Sequence, residues 1–206
     1  IQRLRIGSRG VYPIEGLRFA IADLDTDPID LNFNSLTRGN VVLDEPLNGS
    51  LHVVITPADL NQYLLSPAFT ERLNNIQLNL GNAAQSREAS RYQFSNPRAT
   101  FLPNNRLQLE LELSEPSLGE GLKIKAQTGL AIENGHRLVL VDPEVSVDDS
   151  AAPEQLLDLF TENLGDRLSL RQLEASGVTA RVLDANISPE QFDLVMWVSI
   201  DPSFTR

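Results

Sequence analysis

Residues 106–113 read RLQLELEL. Leu107, Leu109, Leu111 and Leu113 alternate with Gln108, Glu110 and Glu112. Successive side chains of a strand point to opposite faces, so the four leucines share one face and the polar groups the other. The stretch reads as a half-buried β-strand. The rest of the fold turns on what its leucine face touches: the protein's own core, or something the protein carries.

Similar strands surround it. RYQFSNPRATFLP (91–103), LKIKAQTGLAIENG (122–135) and HRLVLVDPEVSV (136–147) follow one another, joined by turn signals at Asn104-Asn105 and Asn134-Gly135 and a longer turn over 115–121. This pattern predicts an antiparallel meander. Upstream, Leu17, Phe19 and Ile21 form one alternating run and Ile29, Leu31 and Phe33 another, with Pro28 between them at a bulge or edge position. VVLDEPLNGSLHVVIT (41–56) reads as two strands split at Glu45-Pro46, with Asn48-Gly49 as a turn signal. At the C-terminal end, SGVTARVLDANIS (176–188) and FDLVMWVSID (192–201) form a hairpin around Ser188-Pro189-Glu190.

Three helices interrupt the strands. Thr56 is placed as an N-cap before Pro57 and Asp59, and Ser66 stands likewise before Pro67. Leu60, Tyr63 and Leu64 make one apolar stripe; Phe69, Leu73 and Ile76 make the next. A longer helix opens at Pro153, with Leu156, Leu157, Phe160, Leu164 and Leu168 on one face. GNAAQSREAS (81–90) is small and polar and reads as a loop. No composition shift marks a second domain. The expected fold is therefore α+β: one domain over 1–206, built on one large antiparallel sheet with helices on one face.

Composition narrows the function. The net charge of -11 argues against nucleic acid and against long-range attraction to anionic membranes. There is no cysteine, so thiol and disulfide chemistry are excluded. His52 and His136 have no partner at metal or triad spacing, and motifs for phosphate, dinucleotide or nucleophile chemistry are missing. Asp23, Asp25 and Asp27 match the first ligand positions of a calcium loop, but Pro28 replaces its glycine and Asn34 its bidentate glutamate. The stretch reads as the acidic end of a strand. Glu110 and Glu112 read as solubilising charges. No catalytic residue, metal or cofactor is expected. The leucine face is left with two readings: ordinary core, which patterning alone favours, or the wall of an apolar groove.

The order of motifs adds a further clue. ITPADLN (55–61) opens a helix, and SLRQLEASGVTARVL (169–183) precedes the final hairpin. With the segments between them, these resemble the LmeA-type phospholipid-binding proteins in the version found in cyanobacteria. The resemblance spans essentially the whole chain. It implies a strongly curved antiparallel sheet wrapped around one long and two short helices, similar to tubular lipid-binding domains. It also implies non-enzymatic binding or transfer of phospholipid or glycolipid in an apolar groove, at the cell envelope or a membrane. A segment upstream of Ile1 is expected from the same comparison. On a lipid-binding reading the candidate liners, chosen from the apolar helix and strand faces, are Tyr63, Leu64, Phe69, Leu109, Leu111, Leu138, Leu140, Phe160, Leu164 and Trp197. Arg87 and Arg91, with Arg3, Arg5 and Arg9, are the candidate head-group contacts. Peripheral membrane contact is a possible partner role; the alternative is a structural or protein-interaction module of the envelope with a fully packed core.

Overall fold

The computed structural model describes residues 1–40, 42–74, 93–114, 121–154, 157, 161 and 168–202. In chain order the strands are β1 (Arg5–Ile14), β2 (Leu17–Thr26), β3 (Leu47–Ile55), β4 (Gln93–Leu102), β5 (Arg106–Ser114), β6 (Gly121–Glu133), β7 (Arg137–Val147), β8 (Ser150–Ala151), β9 (Val178–Ile187) and β10 (Phe192–Ile200). The helices are α1 (Phe33–Leu36), α2 (Pro57–Leu64) and α3 (Pro67–Asn74), and Leu170–Ser176 is a 3-10 helix.

The strands form two antiparallel sheets of five, ordered β1-β2-β3-β10-β9 and β4-β5-β6-β7-β8. This overturns the α+β expectation of one strongly curved sheet wrapped around one long and two short helices. The fold is mostly β, neither sheet is curled, and the helices are short. The long helix expected over 153–168 lies largely outside the described residues, of which Glu154, Leu157 and Thr161 are helical.

Backbone pairing explains the division. In the meander, the β4–β5, β6–β7 and β7–β8 connections are tight local turns. Asn104, Asn105, Asn134, Gly135, Asp148 and Asp149 all take positive φ, which hairpins of right-handed twist require. Both edges that face the junction are then occupied. At β4, the Asn61 carboxamide of α2 donates to Ala99 O at 2.8 Å and accepts from Ala99 N at 2.8 Å, as a neighbouring strand would. At β9, Ile187 N donates to Asn105 Oδ1 at 2.7 Å, and Val182 N donates to Gly135 O. Hairpin tips of the second sheet thus sit against the edge of the first. Among the described residues, no ladder pairs β4 with β9.

The local readings hold at the two short helices. Thr56 Oγ1 accepts from Asp59 N and the Asp59 carboxylate accepts from Thr56 N, a complete capping box with Pro57 in the first turn. Ser66 Oγ accepts from Phe69 N. They fail between β2 and β3. Residues 29–33 and 42–44 do not make strands: Leu31 and Leu43 form an isolated bridge, and Asn32 caps α1. Asn48-Gly49 is not a turn either. It lies inside β3, where a Cβ on Gly49 would stand 2.7 Å from Asp25 O, so glycine is needed for the close approach of β2.

Asn61→Ala leaves the buried Ala99 N–H and C=O without partners. It is expected to destabilise the fold by about 2–3 kcal/mol, read as a lower urea midpoint. Gln62→Ala, at an exposed position of the same helix, is expected to change stability by under about 0.5 kcal/mol. Equal midpoints for the Asn61 variant and the parent would remove the edge-capping role.

Candidate functional site

The register places each apolar set. In the second sheet, Leu107, Leu109, Leu111 and Leu113 lie opposite Thr128, Ala126, Ile124 and Leu122 of β6. Phe101, Ala99 and Phe94 of β4 extend the same face. Leu140 and Leu138 join it across from Leu130 and Ile132. Leu113 and Ile124 are buried, packed against Phe94, Leu111, Val145 and Val147. Leu107, Leu109 and Leu111 are half-buried. The RLQLELEL question therefore divides: Leu113 is core, while the other three keep part of their surface open.

The first sheet has an apolar face that the sequence reading missed. Leu194, Met196, Val198 and Ile200 of β10 stand opposite Val53, Leu51, Gly49 and Leu47 of β3. β10 is a central strand, yet all of its residues are only half-buried. Its alternation was masked because Val195 and Trp197 sit on the opposite face, so the stretch reads as one continuous apolar run. Trp197 lies between Ser50 and Arg181 on that opposite, polar face. It is not brought together with the second sheet's leucines.

The remaining candidates fall elsewhere. Tyr63 and Phe69 meet edge to face with centroids 5.4 Å apart at the α2–α3 corner, and Leu64 is buried there. Phe160, Leu164, Arg87 and Arg91 lie outside the described residues. Arg3, Arg5 and Arg9 are engaged: Arg3 forks onto Asp25 (Nε–Oδ1 2.6 Å), Arg5 reaches Asp25 at 3.0 Å and Arg9 reaches Asp23 at 2.5 Å. The basic start of the chain and the acidic DLDTD stretch thus neutralise each other across β1 and β2. No cluster of His, Cys, Asp or Glu able to hold a metal occurs among the described residues.

One open concavity of about 670 Å³ has a largely polar lining. It lies on the charged face of the second sheet, among Arg98, Glu110, Glu112, Lys123, Lys125 and Asp149. The leucine face is behind it. His52 Nε2 lies 2.8 Å from Asp193 Oδ1 on the polar face of the first sheet.

The two stretches that carry the family resemblance are joints. In ITPADLN, Asp59 is only 5 % exposed. It accepts from Thr56 Oγ1 at 2.6 Å and from Arg18 Nη1 of β2 at 2.8 Å. Asn61, one helical step further, holds β4. One short helix therefore ties the first sheet to the second. In SLRQLEASGVTARVL, Ser169 and Gly177 cap the 3-10 helix, Gly177 with a φ of 72°. Leu170 N donates to His136 O at 2.8 Å, and Arg181 reaches Glu174 at 3.4 Å. This second joint binds the β6–β7 tip to β9.

The site region is thus an antiparallel β scaffold whose apolar faces are half covered. The family model described as LmeA-like phospholipid-binding matches residues 1–194. The chain belongs to that family, and membership implies lipid binding. The match is to the family as a whole and does not single out a cyanobacterial type. The family's description is one of binding and names no reaction. Neither curated proteins nor solved structures returned a match.

Three aspartates are held below the ordinary value near 3.8. Asp23 and Asp25 are lowered first by hydrogen bonds from Arg9 and Arg3. At Asp59, desolvation pushes upward but is outweighed by hydrogen bonds from Thr56 and Arg18. Lowered folded values mean that these groups stabilise the fold above about pH 4 and lose that contribution as pH falls through their folded values. The thermal midpoint is expected to be insensitive to these carboxylates near neutrality and to drop in acid below about pH 4. Asp59→Asn should flatten part of that drop; an unchanged acid profile would refute the assignment.

Proposed function

We propose that the protein binds a phospholipid or glycolipid non-enzymatically, with acyl chains against the half-covered apolar faces of the two sheets. Transfer of lipid between membranes of the cell envelope is the activity that such binding would serve. Leu109, Leu111 and Leu140 line the ligand on the second sheet, with Leu138 and the α2–α3 residues Tyr63, Leu64 and Phe69 bordering it. Phe160 and Leu164 belong to the same proposed lining. Arg87 and Arg91 are the proposed head-group contacts, since Arg3, Arg5 and Arg9 are already paired with Asp23 and Asp25.

The observation that carries the reading is family membership joined to the half-buried centre of β10 and β5. A structural module with a fully packed interior would bury one face of each central strand. Here the apolar positions Leu194, Met196, Val198 and Ile200 keep accessible surface. Binding that rests on apolar burial gains about 0.8 kcal/mol for each methylene removed from water. Affinity is therefore expected to rise about fourfold per added methylene until the face is filled, with a weaker dependence on head group.

Native mass spectrometry of gently purified protein should show bound lipid. The single tryptophan gives a second reading. Lipids brominated along the acyl chain should leave Trp197 fluorescence nearly unquenched, because Trp197 is on the polar face. Leu140→Trp in a Trp197→Phe background should be quenched. Absence of copurified lipid together with no quenching at position 140 would sink the proposal. Quenching at Trp197 instead would move the ligand to the opposite face of the first sheet.

A further inference from the structure

Described residues between β2 and β3 form a loop with a narrow neck. Leu31 and Leu43 bridge across it. Asn32 N donates to Val42 O at 2.9 Å, Asp44 N donates to Asp30 O at 3.1 Å, and Asn32 Nδ2 donates to Asp44 Oδ1 at 2.9 Å. Ile29 and Leu43 are buried at its base. Beyond the neck, Asn32 caps the single turn α1 by accepting from Ser35 N at 3.0 Å.

That turn points apolar groups outward. Phe33 is 78 % exposed, the highest value of any large hydrophobic residue described, and Leu36, one turn on, is 43 % exposed. The local charge is also unlike the rest of the chain. Asp and Glu number 28 in 206 residues, yet 31–43 contain neither, and Arg38 is their one charged residue. Arg38 has no side-chain hydrogen bond or ion pair to a described residue, whereas Arg3, Arg5, Arg9 and Arg18 all do. The carboxylates of Asp30 and Asp44 stay at the neck.

We infer that this loop is the element that docks the protein on a phospholipid bilayer. Phe33 and Leu36 enter the interfacial layer, and the Arg38 guanidinium meets lipid phosphates. An apolar pair on a capped turn, next to a cation with no ion pair to a described residue, matches a surface that is apolar beneath and phosphate-bearing above. A chain of net charge -11 is repelled by anionic surfaces as a whole. An acid-free tip lets it approach a bilayer locally while the acidic bulk stays in water. This inference rests on the proposed lipid-binding function, because a protein that loads lipid from a bilayer must first reach one.

The test uses vesicles of phosphatidylcholine and the intact protein. Phe33→Asp with Leu36→Asp should lower vesicle co-sedimentation about tenfold or more, from the loss of two apolar side chains at the interface. Both residues are exposed, so the thermal midpoint should not move. Arg38→Glu should weaken vesicle binding as well, whereas Arg38→Lys should retain most of it. Uptake of a monomeric short-chain phospholipid should be unaffected in every variant. If the double variant sediments with vesicles like the parent, or if the parent fails to bind vesicles, the docking role is wrong. If the parent binds vesicles but no variant or parent takes up monomeric lipid, docking stands and the lipid-carrying function fails.

Discussion

An exposed sheet edge carries a row of unpaired N–H and C=O groups, and the arrangement of this molecule depends on where those groups find partners. At β4 they find the side chain of Asn61, whose carboxamide has the same donor and acceptor pair as a peptide unit. At β9 they find Asn105 and the carbonyl of Gly135, both from hairpin tips of the other sheet. Part of each edge is thus met by something other than a strand, and the ten strands among the described residues form two sheets in contact edge to tip.

Charge is arranged to stay out of the apolar regions. Arg3, Arg5 and Arg9 are spent on Asp23 and Asp25 across β1 and β2, and Arg18 on the buried Asp59. On the second sheet the charged residues collect on one face, where Arg98 and Lys125 flank Glu110 in register. This leaves the leucine face free of charge. It suits a ligand recognised mainly through its apolar part, and the family's phospholipid-binding description points the same way.

Much of the local structure was legible. The alternation of β5, the asparagine-rich turns of the meander, and the Thr56 cap with Pro57 and Asp59 are decided by neighbours in sequence, and they appear as read. Elements that depend on distant chain were not. Asn48-Gly49 has the composition of a turn, but the glycine serves the close approach of Asp25 in a neighbouring strand. Residues 29–33 have strand periodicity, but no strand is available to pair with them beyond the Leu31–Leu43 bridge. The apolar face of β10 was hidden because Val195 and Trp197 on its other side broke the alternation.

By itself, then, the sequence determined the meander strands with their asparagine turns, the final hairpin, the starts of the two short helices and the family, since periodicity, φ preference and motif order are properties of the chain read locally. Only the tertiary structure decided which strands share a sheet. β10 pairs with β3 across the whole meander, Val195 opposite His52, and no local signal encodes a pairing at that separation. It also decided the two uses of the RLQLELEL leucines. The four are equivalent in pattern, but Leu113 alone is buried, in the cluster with Ile124, while Leu107, Leu109 and Leu111 remain half open, because cover is supplied by neighbouring elements and not by the strand itself.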